Sequence, residues 1–239
     1  MKYQAWILIS LLIAVYSWAC SSSPEPIQNR EAAHKRETSE AIQPPPERLE
    51  EKSPMPPGVI GYWPFDEGSG TVAKDASGTA DGTIHEASWA QGRMAGALRF
   101  SGSTTYVEIP DRPALSPSGP FEVSLWMYIE ERPLGYATLI EKGGGFTGSF
   151  RLVLLKNGKI RAGLGHDYVT VNSSITPSLK QWHQIDMTYT GRELQLKIDG
   201  QLVASRQVTK PDVKSAYNVI IGRGLVGMID EVKIATKSS

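Results

Sequence analysis

The sequence predicts an all-β domain, a sandwich or a barrel, over residues 58–239, and three observations carry that reading. Apolar side chains recur at every second position: in FEVSLWMYI (121–129), Phe121, Val123, Leu125, Met127 and Ile129 fall on one face. Turn pairs separate the runs, with Asn157-Gly158 inside SFRLVLLKNGKIRAGLG (149–165) the strongest short hairpin signal. No apolar helical period after residue 58 lasts even twelve residues.

The elements follow in chain order. Lys2 and the apolar run AWILISLLIAVY (5–16) read as an export signal over residues 1–19, because the run is short for a bilayer span. Cys20, the only cysteine, falls at the expected cut. This region resembles a bacterial lipoprotein signal, in which the thiol is acylated and anchors the chain to the membrane. Ala19 fits that pattern, whereas Ser17 and Trp18 depart from it. Ser17 and Ala19 also suit ordinary signal cleavage, which would give a secreted protein with a free N-terminal thiol. Acylation places the protein on the cell envelope, and Ser21 then directs it to the outer membrane if there are two membranes.

Residues 20–57 read as anchor and tether. Positions 21–57 hold eight prolines, twelve charged residues and no aromatic residue, too little apolar surface to offset chain entropy, so a disordered linker is expected.

From Gly58 the texture changes. Asp75-Ala-Ser-Gly78 and Asp81-Gly82 are turn chemistry, with the carboxylates accepting from nearby backbone N–H groups. Gly92, Gly96 and Gly102 bracket ALRF as a short strand. WHQIDMTYTGRELQLKIDGQLVAS (182–205) supplies three strands turning at Gly191-Arg192 and Asp199-Gly200, with Trp182 expected to close one end of the core.

Five segments in register resemble bacterial laminin-G-like domains of the concanavalin A-like lectin/glucanase superfamily. They are GYWPFDEGSGTVAKDASGTADGTIHEASWAQGRMAGALRFSG (61–102), YVEIP (106–110), FEVSLWMY, WHQIDMTYTGRELQLKIDGQLVA and IGRG with GMIDEVKIA (221–235). The resemblance implies a two-sheet antiparallel jelly-roll sandwich with its first and last strands close together.

Composition narrows the function. Twenty-five basic and twenty-five acidic residues give no net charge, so nothing favours nucleic acid. Laminarinase-type relatives need carboxylates spaced E-x-D-x-E on one strand face, and no such triplet occurs. Asp66-Glu67, Glu130-Glu131 and Asp230-Glu231 are adjacent pairs whose members point to opposite faces of a strand. His34, His85, His166 and His183 stand far apart. We therefore expect no enzyme.

The resemblance also implies a structural Ca2+ joining the N- and C-terminal strands, for which Asp66 and Asp230 hold the matching positions. The alternative is that both carboxylates accept backbone hydrogen bonds in turns. For sugar binding the candidates are Trp126 and Tyr128, on the face opposite Phe121 and Val123, and His166 and Tyr168 in GLGHDYVTVNSS (163–174). Such rings equally serve to cover an apolar layer. The expected function is a recognition module held off the membrane that binds a glycan or a protein partner. The alternative is a structural or assembly component of an envelope complex.

Overall fold

The computed structural model describes residues 55–144, 147–165, 169–209 and 211–237. The expected signal segment, Cys20, nearly all of the expected tether, His166 and Tyr168 lie outside the described residues. No helix among the described residues is long and apolar enough to cross a membrane.

The described strands form two antiparallel sheets. The first contains β1 (Val59–Trp63), β4 (Ser88–Gln91), β5 (Gly96–Ser101), β7 (Phe121–Glu131), β12 (Trp182–Tyr189), β13 (Glu193–Ile198), β14 (Gln201–Gln207) and β16 (Val226–Thr236). The second contains β2 (Val72–Ala73), β3 (Gly82–His85), β6 (Tyr106–Ile109), β8 (Tyr136–Gly144), β9 (Thr147–Leu155), β10 (Ile160–Leu164), β11 (Val169–Asn172) and β15 (Val219–Ile221). Strand order is β14-β13-β12-β7-β16-β5-β4 in one and β11-β10-β9-β8-β15-β6-β3-β2 in the other. The chain therefore passes repeatedly between layers, and the expected two-sheet jelly-roll sandwich is the observed fold. Among the described residues, a 3-10 turn at Pro113–Leu115 is the only helix.

Period-two alternation builds the interior. Phe121, Val123, Leu125, Met127 and Ile129 of β7 are all buried, and so are Phe150, Leu152 and Leu154 of β9 from the facing sheet. Phe121 meets Phe150 at 5.8 Å and Tyr189 at 6.2 Å between ring centroids. Burying each such side chain stabilises the fold by roughly 1.5–3 kcal/mol. Trp63 joins this core while its indole N–H donates to the Ala80 carbonyl at 3.0 Å, which satisfies its polar atom.

The long closing strand ties the termini together. β16 pairs with β7 along one edge, and along the other with β5 through Ile229 and with β1 from Val232. Its register shifts between Asp230 and Lys233, where Glu231 sits at φ +55°. β8 also bulges, between Thr138 and Ile140, so Ala137, Leu139 and Ile140 all enter the core. Lys142 points inward as well. Its ammonium pairs with Asp111 and donates to the Tyr217 carbonyl at 2.7 Å, so a fully buried charge is compensated.

Candidate functional site

Three of the residues singled out from sequence, Trp126, Tyr128 and Asp230, share the outer face of the first sheet. Asp230 lies on β16 directly across from Trp126 on β7 and is fully buried. Its Oδ2 accepts from the Arg93 N–H at 2.8 Å and the Met94 N–H at 2.9 Å, while Oδ1 is buried without a hydrogen-bond partner. Asp66, exposed just beyond β1, accepts from the Gly96 N–H at 2.7 Å. The two carboxylates thus clamp opposite ends of the turn joining β4 to β5. A Cβ at Gly92 would lie 1.8 Å from the Gly96 carbonyl oxygen, so the turn admits no side chain there.

Burial pushes the Asp230 carboxyl up to about 6; the Met94 and Arg93 N–H groups pull against it, and the Glu231 charge adds to the rise. Glu231 accepts from the Tyr62 hydroxyl at 2.7 Å, and burial followed by that contact pushes the phenol up. A Ca2+ shell takes six to eight oxygens. Among the described residues no group of three His, Cys, Asp or Glu side chains is placed to hold a metal. Asp66 and Asp230 each commit an oxygen to the turn, so they fit a hydrogen-bonded clamp.

Arg93 also lays its guanidinium 4.9 Å from the centre of the Trp126 ring. The turn therefore caps one face of that ring, which favours a packing role for Trp126. Tyr128, two residues along, meets Trp182 at 5.6 Å between centroids. Trp182 does not close the core as expected. Ile185, Met187 and Tyr189 take the inward positions of β12, so the register turns Trp182 outward against Tyr128.

The outer face of the second sheet carries a different arrangement. Five strands align Arg151, Glu141, Ile220, Glu108 and Thr83 in one transverse row, about 19 Å long at ~4.8 Å per strand. Arg151 and Glu141 approach to 3.9 Å, and each side chain is only 15% exposed. Val153 and Ile220 are 1% and 7% exposed although neither belongs to the core between the sheets. The face is therefore sunken around them. Burial pushes the Glu141 carboxyl up, and Arg151 and Arg223 pull it back down.

Aromatic rings border this row. The Tyr136 ring, largely exposed, lies 5.4 Å from the Arg151 guanidinium. At the other end the His85 and Tyr106 rings stack at 4.3 Å, and Arg223 stands 4.1 Å over Tyr106. Glu108 accepts from the Asn218 amide at 2.9 Å and lies 3.4 Å from His85 Nε2. A cavity of about 500 Å3 opens against Ile84, His85, Glu86, Thr104 and Tyr106.

Sequence reasoning did not single out Glu141, Arg151, Arg223 or Tyr136. The alternation in SFRLVLL marks Arg151 as outward, opposite Phe150 and Leu152, and is the one available signal. His183 proves structural: Asp199 Oδ2 lies 2.7 Å from its Nδ1 and Ser178 Oγ 2.8 Å from its Nε2, joining the loop before β12 to the β13–β14 turn.

Comparison with known proteins agrees with this architecture. The model of the Concanavalin A-like lectin/glucanases superfamily, of laminin-G type, matches residues 101–238. A comparison with curated proteins finds no match. Among solved structures, the chain is similar to the binding domain of botulinum neurotoxin serotype D (TM-score 0.59, 16% identity, 76% of this chain and 49% of that chain). It is also similar to domain 4 of AbnA, a GH43 extracellular arabinanase from Geobacillus stearothermophilus solved with arabinotriose (TM-score 0.60, 18% identity, 75% and 92%). A third likeness is to the Trypanosoma rangeli sialidase (TM-score 0.58, 19% identity, 77% and 32%). The chain spans about half the length of the botulinum binding domain, and these likenesses speak to fold alone. From the family match and the two-sheet architecture together, the chain belongs to the Concanavalin A-like lectin/glucanases superfamily.

Proposed function

We propose that this protein is a non-catalytic cell-envelope lipoprotein whose lectin-like domain binds a glycan on the outer face of its second sheet. The observation that carries the reading is the sunken row of Arg151, Glu141, Ile220 and Glu108 bordered by Tyr136 and Tyr106. Paired polar groups held in fixed positions offer donors and acceptors to sugar hydroxyls, and exposed rings offer apolar faces. Botulinum neurotoxin type C, whose cell entry depends on two ganglioside molecules, and the AbnA domain solved with arabinotriose both resemble this fold, which supports a sugar as ligand class. The signal-like N-terminus and Cys20 support acylation and an envelope location, with plain secretion as the alternative.

Screening the full chain on an array of envelope and extracellular glycans tests the proposal. Saturable binding to a glycan class is expected, and failure to bind any glycan overturns it. A second reading, docking to an envelope protein, draws on Leu134, 94% exposed beside Tyr136 in the β7–β8 loop. Crosslinking from Leu134 in cells would then capture a stoichiometric protein partner.

A further inference from the structure

The segment IGRG (221–224) matched the family pattern without a chemical role. In the structure it is the turn leading from β15 to β16, and it sets one arginine in place. Gly222 and Gly224 adopt φ of +84° and +83°, and a Cβ on Gly222 would meet the Phe100 ring at 2.2 Å. Glycine is required there, so the backbone on both sides of Arg223 is fixed. The Arg223 carbonyl accepts from the Thr138 N–H at 2.8 Å, and the Gly224 N–H donates to the Gly102 carbonyl at 3.0 Å. The exposed guanidinium then stacks on Tyr106, whose ring is itself stacked on His85.

The neighbouring charges have partners: Glu141 faces Arg151 and also feels the Arg223 charge from beyond ion-pair distance, and Glu108 faces Asn218 and His85. No ion pair with Arg223 is found among the described residues. A planar fork, oriented by an aromatic ring and backed by a glycine-fixed turn, is the form in which arginine recognises a carboxylate by two parallel hydrogen bonds.

Resting on the glycan-binding reading above, we infer that the ligand is an acidic glycan, and that Arg223 on its Tyr106 platform receives the carboxylate of a uronic or sialic acid unit. The cavity beside Tyr106 takes that sugar, and the row from Glu108 to Arg151 takes the neighbouring units. The specificity is thus set at one end of the sunken face.

Carboxyl reduction of the same oligosaccharides gives the test. The full chain is titrated with oligogalacturonates, oligoglucuronates and sialyllactose, and with their carboxyl-reduced or asialo counterparts. At least one acidic member binds, about tenfold or more tighter than its neutral counterpart, and the preference weakens as salt rises. Arg223→Ala abolishes the preference and Arg223→Lys, which keeps charge but loses the fork, restores little of it. Arg192→Ala, an exposed arginine on the β12–β13 turn of the first sheet, leaves it unchanged. Equal binding of acidic and neutral forms, or a preference that survives Arg223→Ala, overturns the carboxylate assignment while leaving glycan binding intact. Binding of neither set overturns the assignment too, and the glycan array then decides whether the broader proposal falls with it.

Discussion

Replacing Asp230 by asparagine should make this protein gain stability on the wild type as pH rises from acid to neutral. The carboxyl is fully buried, its Oδ2 serves two turn N–H groups, and its Oδ1 has no partner. Burial raises it from 3.8 to about 6 in the folded chain. Below the unfolded value both states are protonated and Asp230 contributes no pH dependence. Between that value and about 6 the folded chain holds a proton that the unfolded chain has released, so stability falls as pH rises and levels off above 6. A shift of about two pH units corresponds to about 3 kcal/mol. Asparagine keeps an acceptor for the Arg93 and Met94 N–H groups and cannot ionise. Its extra N–H2 group costs a pH-independent amount, of order 1–3 kcal/mol if unpaired. Urea denaturation of both proteins from pH 4 to 8, followed by tryptophan fluorescence, gives the difference curve, in which other titrating groups cancel. The variant should gain about 2.4 kcal/mol on the wild type between pH 4 and pH 7, because the unfolded carboxyl is already partly ionised at pH 4. A flat difference, or a variant that loses ground as pH rises, refutes the argument and makes the ionised carboxylate useful in the fold.

Three further outcomes follow from named contacts. Asp75 accepts from the Tyr62, Ser77, Thr79 and Ala80 N–H groups and from the Ser77 hydroxyl, so Asp75→Ala should lower stability by about 3 kcal/mol or more in urea, with a change under 1 kcal/mol counting against the role. Asp111→Ala leaves the Lys142 ammonium buried without its counter-charge, at a cost of about 3–5 kcal/mol, and adding Lys142→Met should recover most of that loss. If Cys20 is acylated, Cys20→Ser should move the protein from the detergent phase to the aqueous phase, whereas retention in detergent would rule out that anchor.

The strands of the first sheet were legible because they alternate cleanly. Phe121 to Ile129 and Ile185 to Tyr189 declare their inward faces, and the turns at Asn157-Gly158 and Asp199-Gly200 fall where the dipeptides place them. Asp75 was recognisable as an acceptor in a turn for the same local reason. β8 was not legible, because its bulge puts Leu139 and Ile140 inside together and Lys142 after them, which breaks the period of two. The transverse row on the second sheet depends on that strand. Arg151, Glu141, Ile220 and Glu108 come from four strands, and only their register aligns them. Trp126 and Tyr128 were identified as outward residues, but the Arg93 guanidinium over Trp126 comes from a turn brought in by Asp230, a long-range contact that no local pattern encodes.

Amide shift mapping of the isotopically labelled full chain, titrated with the oligosaccharide selected on the array, tests the account most directly. The perturbed amides should cluster at Glu108, Glu141, Arg151, Ile220 and Arg223 on the second sheet. Perturbations centred instead on Trp126, Tyr128 and Trp182, or no perturbation at saturating sugar, would contradict it.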